Sequence, residues 1–209
     1  MLIMDAVLET YGAGDFSLWP LAEPSADRLL ALSGQLSSLQ VGTAMAILTN
    51  HNQEHGEPGV PAPESSLEQV RRLLAAGCAV APGGLRIRDT ATGVTASPGC
   101  CFGLENWRDW LALADGEWPW LGHDPTPRVE HVGAVIRLWP DADRPEGSPI
   151  DIPRAQLSEL LGSVQDELVA FLASVGRWAE HCAPSVAAAL VEKLDEGLAI
   201  SAPLPDSRW

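Results

Sequence analysis

Residues 152–182 read IPRAQLSELLGSVQDELVAFLASVGRWAEHC, and this stretch decides the architecture. Its apolar positions are Leu157, Leu161, Val164, Leu168, Phe171, Val175, Trp178 and Cys182, separated by steps of 4, 3, 4, 3, 4, 3 and 4. Side chains three and four residues apart share one face of an α-helix, so the spacing predicts a long amphipathic helix with an unbroken seam. Pro153 suits its first turn, where no intrahelical donor is needed, and Pro184 ends it. A seam of this kind covers a sheet of its own chain or meets a second copy as a coiled coil. The first is the expectation here, and a homodimer is the alternative. Ser185 can cap a last helix to about Glu196, and residues 201–209 read as a frayed tail.

Outward from that helix, RVEHVGAVIRLWPD (128–141) reads as one strand bulged at Gly133 or as two short strands. LRIRD (85–89) alternates apolar and polar, TATG turns the chain and VTAS (94–97) returns, which is a hairpin pattern. Between them, LENWRDWLALADG (104–116) carries a helical stripe of Leu104, Trp107 and Leu111, with Trp110 and Ala114 beside it. SSLEQVRRLLAAG (65–77) predicts a short helix capped by Ser65 or Ser66, with Glu68 or Gln69 closing a capping box. Earlier still, Pro24 and Ser25 read as a helix start, followed by Leu29, Leu32, Leu36, Leu39, Ala44, Ile47 and Leu48 at helical spacing. Gly34 and Gly42 within that run allow two shorter helices instead. Residues 56–65 and 140–150 read as loops. The expected fold is α+β: one domain over 1–209, with a small central antiparallel sheet and helices before and after it.

Charge is the strongest compositional signal. Asp and Glu number 28 against 13 for Lys and Arg, a formal net charge of −15. Such a surface repels phosphate backbones and anionic lipid, so neither nucleic acid nor a membrane is the expected partner. A basic protein is, because opposite charge speeds encounter. Ordinary solubility explains the same imbalance without a partner. The four cysteines, Cys78, Cys100, Cys101 and Cys182, form no C-x-x-C pair, which fits reduced thiols better than a disulfide framework. MLIMDAVLE lacks the basic and apolar regions of a leader, and no stretch reaches the roughly 18 apolar residues that span a bilayer. A cytoplasmic location is therefore expected. Twelve arginines against one lysine, with abundant Ala, Gly and Pro, match the usage of high-GC bacteria.

The segment 99–125 reads GCCFGLENWRDWLALADGEWPWLGHDP. Adjacent strand residues point to opposite faces, so Cys100 and Cys101 reach one metal only through a special turn. Trp107 and Trp110 belong to the core stripe, whereas Trp118 and Trp120 sit in a loop and are candidate contact residues. His123 and Asp124 precede Pro125 and join them as candidates, with an Asx-type turn as the plain explanation. The GCC-GLE-WRDW and WLGHDP pieces resemble uncharacterised actinobacterial proteins, a resemblance that implies no activity.

His51-Asn52-Gln53-Glu54-His55 is H-x-x-E-H. It resembles the motif of inverzincin metallopeptidases and a similar one in S-ribosylhomocysteine lyases. The resemblance implies His51 and His55 as zinc ligands one helical turn apart, Glu54 as general base and Glu130 as the distant third ligand. His123, Cys100 and Cys101 are other completions of that set. Against it, Gly56 and Pro58 end the helix directly after His55, and histidines in a last turn interact favourably with the helix dipole. No G-x-S-x-G elbow, P-loop or G-x-G-x-x-G occurs. Glu105 and Asp109 flank Arg108 at helical spacing and read as solvated ion pairs. The leading expectation is an acidic cytosolic protein-binding module without a cofactor, in its most concrete form an immunity-type inhibitor of a basic toxin. A zinc-dependent hydrolase and a homo-oligomeric structural protein are the alternatives.

Overall fold

Seven strands among the described residues form two antiparallel sheets where the sequence predicts one. The computed structural model describes residues 1–54, 63–144 and 147–205. The first sheet runs in the order β2-β1-β3-β4, from β1 (Leu2–Glu9), β2 (Leu29–Ala31), β3 (Gly83–Asp89) and β4 (Thr95–Ala96). The second is the meander β5 (Arg128–Val132), β6 (Val135–Trp139) and β7 (Ile150–Pro153). Helices α1 (Ser38–Glu54) and α2 (Ser66–Ala75) precede β3, and α3 (Arg154–Cys182) and α4 (Ala187–Gly197) follow β7. The fold is α+β. Its buried apolar residues, drawn from both sheets and all four helices, form one continuous core.

The N-terminal strand β1 is central because both its edges are paired, Met4 opposite Ile87 and Leu8 opposite Leu30. Ala6, Val7 and Leu8 are all buried, so both of its faces are covered there. On the face carrying Asp5, Arg86 binds Asp5 at 3.1 Å and Asp27 at 3.1 Å, and Arg88 binds Asp5 at 2.9 Å. The opposite face presents Met4, Ala6, Leu85, Ile87 and Ala96 to the core.

The predicted helix start at Ser25 is replaced by a turn. The Ser25 hydroxyl donates to Asp27 at 2.7 Å and to the Leu29 carbonyl at 2.9 Å, Arg28 has φ +57, and β2 follows. α1 begins instead after Ser37. The Ser37 hydroxyl accepts from Gln40 N–H at 3.3 Å and the Gln40 side chain accepts from Ser37 N–H at 2.9 Å, a reciprocal capping box. Every residue from Val41 to Thr49 is buried, as befits a helix surrounded by its own protein. Gly42 is required by close approach: a Cβ there would lie 2.8 Å from the Pro20 carbonyl and 3.1 Å from the Trp19 ring. Trp19 Nε1 donates to the Gly42 carbonyl at 2.8 Å.

α2 starts as predicted. Ser65 accepts from Glu68 N–H at 3.2 Å, and the Glu68 carboxylate reaches back to Glu64 N–H at 3.0 Å. The segment 104–113 is a 3₁₀ helix rather than an α-helix. Its buried residues Leu104, Trp107, Trp110 and Leu113 recur every third position, the 3₁₀ period, and Leu111 lies only partly buried beside them. Residues 128–139 form the two-strand option, a hairpin turning at Gly133 and Ala134. β7 occupies the end of the expected 140–150 loop and the first residues of the expected helix, with Pro153 as the residue preceding α3.

α3 buries its seam within the chain: Leu157, Leu161, Val164, Leu168, Phe171, Val175 and Trp178 are all core residues. Each contributes about 1.5–3 kcal/mol relative to exposure. A homo-oligomer assembled through this seam would need it free, and it is occupied. The tail is held further than predicted. Arg108, expected among carboxylates, donates instead to the carbonyls of Ala199 (2.8 Å), Ala202 and Pro203 (3.3 Å). Gln165 adds bonds to Ile200 and Ala202 at 2.6 and 2.7 Å, and Trp107 Nε1 donates to Leu198 at 2.8 Å. Glu105, the other half of the expected ion pair, accepts from Ala81 N–H at 2.9 Å. Residues 206–209 lie outside the described chain. No helix among the described residues is long and apolar enough to cross a membrane.

Candidate binding face and cysteine–histidine corner

The 3₁₀ helix ends in a tight turn in which Glu117 N–H returns to the Ala112 carbonyl at 3.0 Å and Gly116 takes φ +81. The turn throws Trp118 and Trp120 outward, leaving them 65% and 58% exposed, while Leu121 is buried beneath. His131 on β5 fixes the loop from below, with Nε2 3.3 Å from the Glu117 carbonyl. Trp120 leans edge-on against Phe102, with centroids 6.2 Å apart, and lies 6.4 Å from the His123 ring. Among the described residues no ring packs against Trp118 in this way. Asp109, Asp115, Glu117 and Asp124 are exposed on the same segment, and residues 109–127 contain no Lys or Arg. Arg108, the nearest preceding cation, is spent on the tail carbonyls. The four predicted contact residues, Trp118, Trp120, His123 and Asp124, are thus all exposed on one short segment.

At the end of that segment the chain bridges back to residue 100. Cys100 N–H donates to the His123 carbonyl at 2.5 Å, and His123 N–H to the Cys100 carbonyl at 3.3 Å. Gly99 permits this approach, since a Cβ would stand 2.7 Å from both His123 N and the Pro125 carbonyl. The turn that the two cysteines need is supplied by Cys101 itself. Its φ of +64 lies in the left-handed region, which costs a residue with a Cβ about 1–2 kcal/mol. That rotation undoes the alternation of a strand and brings the two Sγ atoms to 3.3 Å. His123 Nδ1 lies 3.2 Å from the Asp124 carboxylate. The Cys100 thiol is pushed up from its ordinary pKa, first by its hydrogen bond with Cys101, then by burial and by the negative charge of Cys101, Glu9 and Asp124. A cleft of about 730 Å³ opens beside this corner, lined by Thr95, Ser97, Asp124, Trp139, Asp141 and Arg144 among others.

Of the predicted set His51, Glu54, His55 and Glu130, the side chains of His51 and Glu130 are described. His51 sits in the last turn of α1. Glu54 ends that helix, while its side chain, and all of His55, Gly56 and Pro58, lie outside the described residues. Glu130 is on the outer face of the second sheet, bonded to Arg128 at 2.5 Å and registered opposite Arg137. Arg137 in turn grips Asp151 at 2.7 and 2.9 Å, so Glu130 is part of a cross-strand charge ladder that accounts for its carboxylate without a metal. Among the described residues the one grouping of three metal-capable side chains is Cys100, Cys101 and His123. Compared with protein-family models, with curated proteins and with solved structures, the chain matches none.

Proposed function

We propose that this protein is an acidic cytoplasmic protein-binding module, in its most concrete form an immunity-type inhibitor that covers a basic site on a toxin. The observation that carries the reading is the pair of exposed tryptophans among carboxylates, with Trp118 65% and Trp120 58% exposed in a segment free of Lys and Arg. Soluble chains hide most of their tryptophan surface, and tryptophan is among the residues most enriched at the energetic centre of interfaces. The carboxylates add steering toward a basic partner and disfavour nucleic acid and anionic lipid. His131 and Leu121 hold the loop from beneath, which lowers the entropy lost on docking.

The test is affinity capture from the source cell with the parent and a Trp118→Ala, Trp120→Ala variant side by side. A basic protein is expected on the parent and not on the variant. With that partner purified, the association rate is expected to fall at least about tenfold from low to physiological salt, as screening shortens the field to about 8 Å. Identical capture by parent and variant, or a rate indifferent to salt, would remove the reading.

A further inference from the structure

We propose that Cys100, Cys101 and His123 form a three-ligand site for a thiophilic divalent cation, zinc or a zinc-like ion, with a fourth coordination position open to solvent. One ligand atom from each of the three side chains lies within 4.8 Å of the other two, and all three residues are exposed. Two thiolates and an imidazole are the donor types that select such ions over calcium or magnesium. Tetrahedral zinc with bonds of about 2.3 Å to sulfur sets its sulfurs about 3.8 Å apart. The 3.3 Å separation here reaches that value by a small side-chain rotation. The two thiols suit a cation better than each other. A trans peptide joins them, holding their Cα atoms about 3.8 Å apart, below the 4.4–6.8 Å that disulfides usually span.

The imidazole has the companion that ligating histidines use. Donation of Nδ1–H to the Asp124 carboxylate leaves Nε2 as the nitrogen with a free lone pair, and makes Asp124 a positioning residue. Binding releases the thiol protons to solvent and neither oxidises nor reduces any group. Structural zinc sites normally close with four protein ligands, whereas three with an open position leave room for water, a small ligand or a donor from another molecule. The inference does not rest on the exposure of Trp118 and Trp120, although His123 and Asp124 belong both to the predicted contact residues and to this site.

The experiment titrates the reduced, chelator-stripped, untagged full chain with Co²⁺ and then displaces it with Zn²⁺. One Co²⁺ per chain is expected, with thiolate-to-metal charge-transfer absorption that zinc abolishes. Cys100→Ser and Cys101→Ser should each eliminate the absorption. Asp124→Asn should weaken affinity about tenfold or more, and Cys78→Ser and His51→Ala should leave it unchanged. A second measurement needs no variant: zinc should protect Cys100 and Cys101, but not the exposed Cys78, from alkylation read by peptide mass spectrometry. Reduced protein without the absorption, absorption that survives both cysteine changes, or equal protection of Cys78 would each overturn the site. Partner capture through Trp118 and Trp120 is scored with metal chelated, so the failure of one idea is read apart from the failure of the other.

Discussion

Asn52 pairs with both backbone polar groups of Val80, accepting from its N–H at 2.9 Å and donating to its carbonyl at 2.8 Å. The second proton of the same amide goes to the Leu48 carbonyl at 2.7 Å, so the end of α1 is joined to the chain entering β3. An alanine at 52 leaves a partly buried N–H and C=O without partners, each costing about 1–3 kcal/mol. Asn52→Ala is therefore expected to lower stability by about 2–4 kcal/mol, read as a lower urea midpoint at unchanged slope. A shift under about 0.5 kcal/mol would show the pairing to be idle. This residue lies inside H-x-x-E-H, where a motif reading sees only histidines and a glutamate. The loop position of Trp118 and Trp120 was legible because Gly116, Pro119 and Gly122 mark a turn-rich stretch, whereas their exposure was not, since loop tryptophans as often pin a loop to its domain. The meeting of Cys100 with Cys101 was not, since the expected alternation assumes extended backbone and Cys101 is left-handed. Nor was the role of Arg108, whose carbonyl partners lie more than 90 residues away in sequence.

At the scale of elements, legibility followed local signals. The long helix, the β3–β4 hairpin and the cap of α2 each carry their determinants within a few residues, and each was predicted. β1 was not, because a central strand covered on both faces loses the apolar–polar alternation that marks a strand. β2 has three residues and β7 four, too short for any period to register. The 3₁₀ helix reads as an α-helix in the sequence because both patterns share the i, i+3 step of Leu104 and Trp107. The value of the seam can be measured on α3. Leu168 is fully buried at its middle, so Leu168→Asp places an unpaired charge in the core. That loss, together with the vanished packing, rivals the entire 5–15 kcal/mol that holds a domain folded. The variant is expected to lack cooperative unfolding by circular dichroism, while Leu168→Ala should fold with about 2–5 kcal/mol less stability. A soluble, cooperatively folded Leu168→Asp monomer would show that the seam is dispensable.

For the whole molecule, acidity acts on stability in two opposing ways, and pH separates them. At neutral pH the net charge of −15 repels itself, and acidification toward the isoelectric point near 4.5 relieves that repulsion. Particular carboxylates work in the other direction. Asp151 is held below its ordinary pKa by the Arg137 guanidinium, and Asp27 chiefly by the Ser25 hydroxyl, then by Leu29 N–H and Arg86. Asp89 is held low by Ala91 N–H and the Thr92 hydroxyl. Each binds a proton less readily folded than unfolded, so its stabilising share is complete above the unfolded value of about 3.9 and disappears as pH falls through the lower folded value. The urea midpoint is therefore expected to hold or rise from pH 7 to about 5, then to drop steeply below about 4. Added salt should raise the midpoint at pH 7 by screening the general repulsion, and should have its smallest effect near the isoelectric point, where little net charge remains to screen. Arg137→Leu should blunt the acid drop, because Asp151 then titrates at nearly the same pH folded and unfolded. A midpoint that stays level to pH 3, or an Arg137→Leu profile parallel to the parent, would mean that these aspartates do not carry the acid sensitivity of the fold.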